Sequence, residues 1–111
     1  MNNSATLDRS FVALSHPVRR AIVERLARGP ATVGDATRGL AVTKPAVTKH
    51  VKVLEDAGLV SRSVQGRRHE LSLVPAPLTD ASAWIERHRV LWEAKFDAVE
   101  RYLADNDEEV R

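Results

Sequence analysis

Apolar positions along the chain fall first at helical spacing, then at the alternating spacing of strands, then at helical spacing again. Leu7, Phe11 and Leu14 predict a short first helix that ends near His16-Pro17. Pro17 suits the first turn of a second helix, where its missing N–H costs nothing. That helix carries Val18, Ile22, Val23 and Leu26 on one face and Arg19, Arg20, Glu24 and Arg25 outside, and Gly29-Pro30 stops it. Thr32 is placed to cap a third, short helix running to about Leu40, with Asp35 as an acidic capping partner. A tight turn at Ala41-Val42 follows. Thr43 then caps a fourth helix with Pro45 in its first turn and Val47, Val51 and Leu54 along one side. Ala57-Gly58 ends it, glycine being the usual left-handed stop.

Beyond this point the period shortens. Leu59 to Val64 reads as a strand, Gln65-Gly66-Arg67 as a turn, and Arg68 to Val74 as a second strand with Leu71 and Leu73 on one side. The expected product is a two-stranded hairpin. Pro75 and Pro77 break the chain before a last helix from about Leu78 to Leu103, and an acidic, frayed tail is expected over 104–111. The predicted fold is mainly α with a small β-hairpin wing, in the order helix, helix, helix-turn-helix, hairpin, long helix. At 111 residues this is one domain, with a core unit over about 17–74 and flanking helices over about 5–15 and 78–103.

Composition narrows the classes without choosing among them. Hydrophobic residues at 43% and charged residues at 29% are ordinary for a soluble globular domain. There is no cysteine, which excludes disulfides, thiolate metal sites and thiol switches. No run approaches a membrane span, and Met1 to Asp8 is too polar for a secretory signal, so the expected location is the cytoplasm with no membrane partner. The net charge is only +2, but it is unevenly spread. Lys44 to Arg68 holds six basic residues (Lys44, Lys49, Lys52, Arg62, Arg67, Arg68) against Glu55 and Asp56, a local excess of +4.

That excess coincides with a helix of two characters. If Val47, Val51 and Leu54 pack inward, the other side presents Lys44, Pro45, Ala46, Thr48, Lys49, His50 and Lys52. Such a helix fits the major groove of B-form DNA. Small residues at its entry allow close approach, Thr48 can meet a base edge, and Lys44 and Lys49 can reach guanine acceptors or phosphates. The hairpin, with Arg62 in its first strand and Gln65, Arg67 and Arg68 at its tip, reads as a wing that can lie on the backbone or enter a narrow minor groove. The plainer reading is a solvated basic surface. Agreement between the turn, the charge and the following hairpin favours the DNA-reading interpretation.

Over roughly two-thirds of its length the chain resembles the ArsR-type (arsenical-repressor-like) winged helix-turn-helix regulators. The resemblance is carried by "HPVRRAIVERL", "AVTKPAVTKHVKVLEDAGLV" and "GRRHEL". It implies a homodimer built from the first and last helices and bound to an inverted repeat in double-stranded promoter DNA. It also implies repression, often of the regulator's own gene. By position it assigns Lys44, Pro45, Ala46, Thr48, Lys49 and His50 to the groove and Arg67 and Arg68 to wing contacts. The chain departs from metal-sensing members in reading "TVGDATRGL" in the third helix, without cysteine, and in lacking a second histidine at ligand spacing from His88. It looks like the metal-independent branch, and no cofactor is expected.

The last helix concentrates the aromatics. With Leu7, Phe11 and Leu14 of the first helix, the expected dimer seam comprises Trp84, Ile85, His88, Leu91, Trp92, Phe96, Val99 and Leu103, more apolar surface than one small domain covers. A pocket for an unidentified small-molecule effector between Trp84 and Trp92 is the sharper alternative to simple packing. His16, beside a proline at a helix junction, is expected to make a local hydrogen bond. No phosphate-binding glycine loop, nucleophile signature or supported carboxylate pair is present, so no enzyme is expected. Two other classes remain: a protein-interaction module docking an acidic partner on the basic face, and an architectural DNA binder without sequence preference.

Overall fold

A computed structural model describes residues 3–110, with side chains described over 4–106. The elements are α1 (Asn3–Ala13), α2 (Pro17–Leu26), β1 (Ala31–Thr32), α3 (Val33–Ala36), α4 (Lys44–Asp56), β2 (Val60–Gln65), β3 (Arg68–Leu73) and α5 (Ala76–Val110). The chain divides into two compact units, one reaching Ala81 and one beginning at Ser82, so the boundary falls inside α5.

The helix starts follow from local chemistry. His16 caps α2, its Nδ1 accepting from the Val18 N–H at 3.1 Å, with Pro17 in the first turn. Thr32 Oγ1 accepts from the Asp35 N–H and Thr43 Oγ1 from the Ala46 N–H, each satisfying a donor that the helix cannot. The Asp35 carboxylate does not reach back to complete a capping box; it pairs with Arg38. The stop of α4 is equally local. Gly58, at φ +74°, sends its N–H to the Glu55 carbonyl, and the Leu59 N–H reaches back to Leu54 O at 3.0 Å. This is the Schellman pattern, and its apolar contact joins Leu54 to Leu59, both fully buried.

Around that contact lies the core of the first unit. Ile22, Val23 and Leu26 of α2 meet Val51 and Leu54 of α4, with Leu59, Val60, Leu71 and the small residues Ala13, Ala31, Ala36 and Ala57 filling between. Leu14, Val18, Val47, Leu73 and Leu78 pack half-buried against it. The second unit is the remainder of α5, a single helix with no comparable core of its own among the described residues.

Four expectations need correction. The sheet has three strands in the order β1-β3-β2, because Ala31 and Thr32 pair antiparallel with Leu71 and Glu70. A two-residue strand carries no periodicity and is invisible to pattern reading. The third helix closes at Ala36 rather than near Leu40, since Thr37 Oγ1 turns back to the Val33 carbonyl at 2.8 Å and the chain goes on in turns to Leu40. The hairpin turn is the two residues Gly66 and Arg67, with Gln65 paired to Arg68. Gly66 sits at φ +62° in the first central position, where a two-residue hairpin turn favours glycine. Finally, α5 continues past Leu103 through the acidic segment to Val110; the side chains of 107–110, and residues 1, 2 and 111, lie outside the described residues. No described helix is long and apolar enough to cross a membrane.

Replacing Leu54, which is 0% exposed, by alanine is expected to cost about 2–5 kcal/mol. The same change at Val64, which is 55% exposed, should stay within about 0.5 kcal/mol. Urea unfolding followed by far-UV circular dichroism measures both.

Candidate nucleic-acid interface

The outer side of α4 is left open by the way its inner side is used. Val51 and Leu54 are buried and Val47 half-buried, which places Lys44, Pro45, Thr48, Lys49 and Lys52 in solvent, with Ala46 half-covered between them. Lys44 and Lys49 have no hydrogen-bond or ion-pair partner among the described residues, so their ammonium groups remain available to an anion. Lys52 lies 3.7 Å from Asp56 one turn on, an exposed pair worth little and easily exchanged. Thr48 Oγ donates to the Lys44 carbonyl at 3.2 Å. Its hydroxyl hydrogen is thereby used, and outward it offers lone pairs and a methyl group, suited to a base amino group or a thymine methyl.

His50, assigned by the sequence reading to the same outward side, is turned elsewhere. It is half-buried, its ring 4.3 Å from that of His16 and its Nδ1 3.0 Å from Arg19 Nη1. Desolvation chiefly, and then the fields of His16 and Arg19, hold its pKa below the ordinary histidine value. Position 50 lies on the seam between outer and inner faces, and α2 captures it.

The wing divides its cations the same way. Arg62 bridges Glu55 Oε1 at 2.6 Å and His69 Nδ1 at 3.1 Å, tying the last turn of α4 to both strands. It is a strut more than a free cation. Arg68 lies 3.4 Å from Glu70 with its side chain 62% exposed, an exposed pair that a phosphate can displace. Arg67 and Gln65 at the tip are exposed, and Arg67 has no ion-pair partner among the described residues. Because β1 pairs with β3, Thr32, Val33 and Gly34 come beside Arg62, Arg67, Arg68 and His69 around an open cleft of about 350 Å³. Sequence reasoning missed this juxtaposition, and its only signal was the single residue, Ala31, left over between the Gly29-Pro30 break and the cap at Thr32.

The residues assigned to a subunit seam fall in two places. On α1, Leu7 is half-buried and Phe11 is 38% exposed, while Leu14, just past its end, packs against the core. Within the second unit, Ile85, Leu91, Trp92, Phe96, Val99 and Leu103 are all exposed, while Trp84 and His88 are half-buried. The Trp84 and His88 rings stack at 4.1 Å with Trp92 edge-on to Trp84, and His88 Nδ1 donates to the Trp84 carbonyl. Arg89 grips Glu86 and Glu93, each at 2.6 Å, and its guanidinium holds the Glu86 carboxyl below its usual range. Among the described residues no three His, Cys, Asp or Glu side chains converge as a metal site.

Comparison with known proteins agrees with this geometry. The family pattern described as a helix-turn-helix domain matches residues 14–62, from the end of α1 to the start of the wing. The chain is similar to the HTH-type transcriptional regulator Rv2034 of Mycobacterium tuberculosis, 42% identical over 87 residues, covering 78% of this chain and 81% of the relative. It is 32% identical over 75 residues to the transcriptional repressor SdpR of Bacillus subtilis, covering 68% and 83% of the two. The crystal structure of the ArsR family transcriptional regulator RHA00566 superposes with a TM-score of 0.74 at 38% identity, over 79% of this chain and 97% of the other. The open basic side of α4, the wing beside it and these likenesses together assign the chain to the ArsR family of winged helix-turn-helix, DNA-binding transcriptional regulators.

Proposed function

We propose that this regulator is a repressor that acts as a homodimer on an inverted-repeat operator, in some contexts its own promoter. The carrying observation is the pairing of two surfaces that the chain does not satisfy by itself. One is the outer side of α4 with its unpartnered Lys44 and Lys49. The other is the apolar face of α5. Among the described residues, eight of the eleven exposed large hydrophobic side chains lie between Ile85 and Leu103. Apolar exposure on that scale marks an interface, and a second copy covering it with α1 and α5 would present two α4 helices about 34 Å apart, one turn of DNA.

In this reading α4 enters the major groove with Lys44, Pro45, Ala46, Thr48 and Lys49 nearest the bases and Lys52 toward phosphate. Gln65, Arg67 and Arg68 follow the minor groove or backbone. His50 and Arg62 support the surface without touching DNA in the first instance. The whole chain works as one DNA-binding and dimerising domain in the cytoplasm, without catalysis, and its signal is not a thiolate-bound metal, since it has no cysteine. A small organic effector against the Trp84-His88-Trp92 cluster is compatible with this reading, although nothing in the geometry selects one.

The contacts separate by what they read. Thr48→Ala or Lys49→Ala is expected to cost about 1–3 kcal/mol on the preferred site and to relax preference at one base position. Arg67→Ala should weaken all sequences alike and lower the salt slope of log K by about 1. Competition titrations at several salt concentrations distinguish the two, and equal affinity for native and scrambled DNA would overturn the operator reading. Phe96→Glu on the exposed face of α5 is expected to shift the protein from dimer to monomer in sedimentation and to abolish binding to the paired half-sites. Retention of both would remove the dimer.

A further inference from the structure

Two histidines and one arginine join the head of α2 to the midpoint of α4, and their hydrogen bonds fix both imidazoles in one protonation state. A backbone N–H can only donate, and that of Val18 reaches His16 Nδ1 at 3.1 Å. A guanidinium can only donate, and Arg19 Nη1 lies 3.0 Å from His50 Nδ1. Each Nδ1 must therefore offer a lone pair, so each ring is neutral with its proton on Nε2. Arg19 extends the connection further, Nε donating to Ala13 O at 2.8 Å and Nη2 to Val12 O at 3.0 Å. Those are terminal carbonyls of α1, which no helical N–H serves. One guanidinium thus ties the end of α1, the first turn of α2 and the middle of α4.

The charged and titratable groups around His50 give a proton no counter-charge. From α2 it meets the Arg19 guanidinium, with the His16 ring at the head of that helix; Arg20 turns away to the Leu14 carbonyl. On its own helix Lys49 and Lys52 add positive charge. The charged residues of α1, Asp8 and Arg9, line a cleft with Val53, Asp56 and Ala57 at the far end of α4. No carboxylate is bonded to His50 among the described residues.

We propose that the Arg19-His50-His16 cluster is a proton-sensitive tie that seats the DNA-reading helix, so that acidification releases α4 and weakens DNA binding. This rests on α4 being the element that contacts DNA. A proton on His50 Nδ1 turns the acceptor facing Arg19 into a donor and sets two cations against each other. Because folding lowers the pKa of His50 from 6.5, the seated state takes up the proton less readily than the released one. Acid therefore favours release as the pH falls from about 6.5 toward that lowered value, and the tie is complete only above about 6.5. Charge alone predicts the opposite, since added protons draw a protein toward phosphate. The sign of the pH effect separates the two.

The wing provides the comparison, because Arg62 Nη1 sits 3.1 Å from His69 Nδ1 in the same kind of pair. Operator affinity of the full chain would be measured at about pH 7.5 and about pH 5 at constant ionic strength, for the unaltered protein, His50→Gln and His69→Gln. Glutamine keeps an acceptor for arginine and cannot titrate. The unaltered protein and His69→Gln are expected to bind about fivefold more weakly in acid, whereas His50→Gln changes by less than about twofold. Tighter or unchanged binding of the unaltered protein in acid overturns the proposal, as does loss of the response in His69→Gln rather than His50→Gln. Amide resonances of α4 in the DNA-free protein give a second readout. Shifts that follow the titration of His50 and vanish in His50→Gln sustain the tie, and α4 amides that do not move overturn it. Absence of binding to any DNA at either pH would defeat the interface itself, with the amide shifts still deciding the tie.

Discussion

Val51 and Leu54 anchor α4 by a narrow inner edge, and the exposure of everything on its other side depends on that anchorage. Both are buried against α2 and the hairpin base, and the Schellman turn at Gly58 folds Leu59 back onto Leu54. The edge is narrow enough that the remaining side chains of the helix stay hydrated. The ammonium groups of Lys44 and Lys49 therefore stay in water until a partner removes it. A wider apolar edge would have added stability and covered the basic groups now left in solvent.

Charge that exists and charge that is available are different quantities here. Of the six basic residues between Lys44 and Arg68, Arg62 is committed to Glu55 and His69, while Lys52 and Arg68 are loosely engaged. Lys44, Lys49 and Arg67 are left for a ligand without rearrangement. Arg62 and Arg19 serve instead as braces, each using the guanidinium's several donors to join separate elements, consecutive ones for Arg62 and the distant α2 and α4 for Arg19. The basic excess read along the chain therefore overstates the number of phosphate contacts and says nothing of which arginines are structural.

What could be read from the sequence was what is decided within a few residues. The caps at Thr32 and Thr43, the prolines at helix starts, the apolar face of α2 and the glycine after α4 are local rules, and each appears where the pattern placed it. The pairing of Ala31-Thr32 with β3 depends on residues some forty positions away in the chain, and nothing in a dipeptide announces it. Position 50 shows the same limit. Helical spacing puts it on the margin between the two faces of α4, and only the approach of Arg19 and His16 decides which way it turns. Helical spacing places residues on one side of α4 or the other and cannot resolve its flank.

Among the described residues the hairpin buries Val60 at its base and Leu71 opposite β1, with Leu73 half-buried beside them. After Val60, residues 61–68 are exposed, and apart from Arg62, which braces α4, their identities are almost uncoupled from whether the chain folds. Under the proposed function, insertions or exchanges at the hairpin tip alter how far and how strongly the protein reaches along a duplex, while α4 is left as it is. Related regulators could therefore diverge in grip while keeping their vocabulary, with the hairpin as the adjustable part.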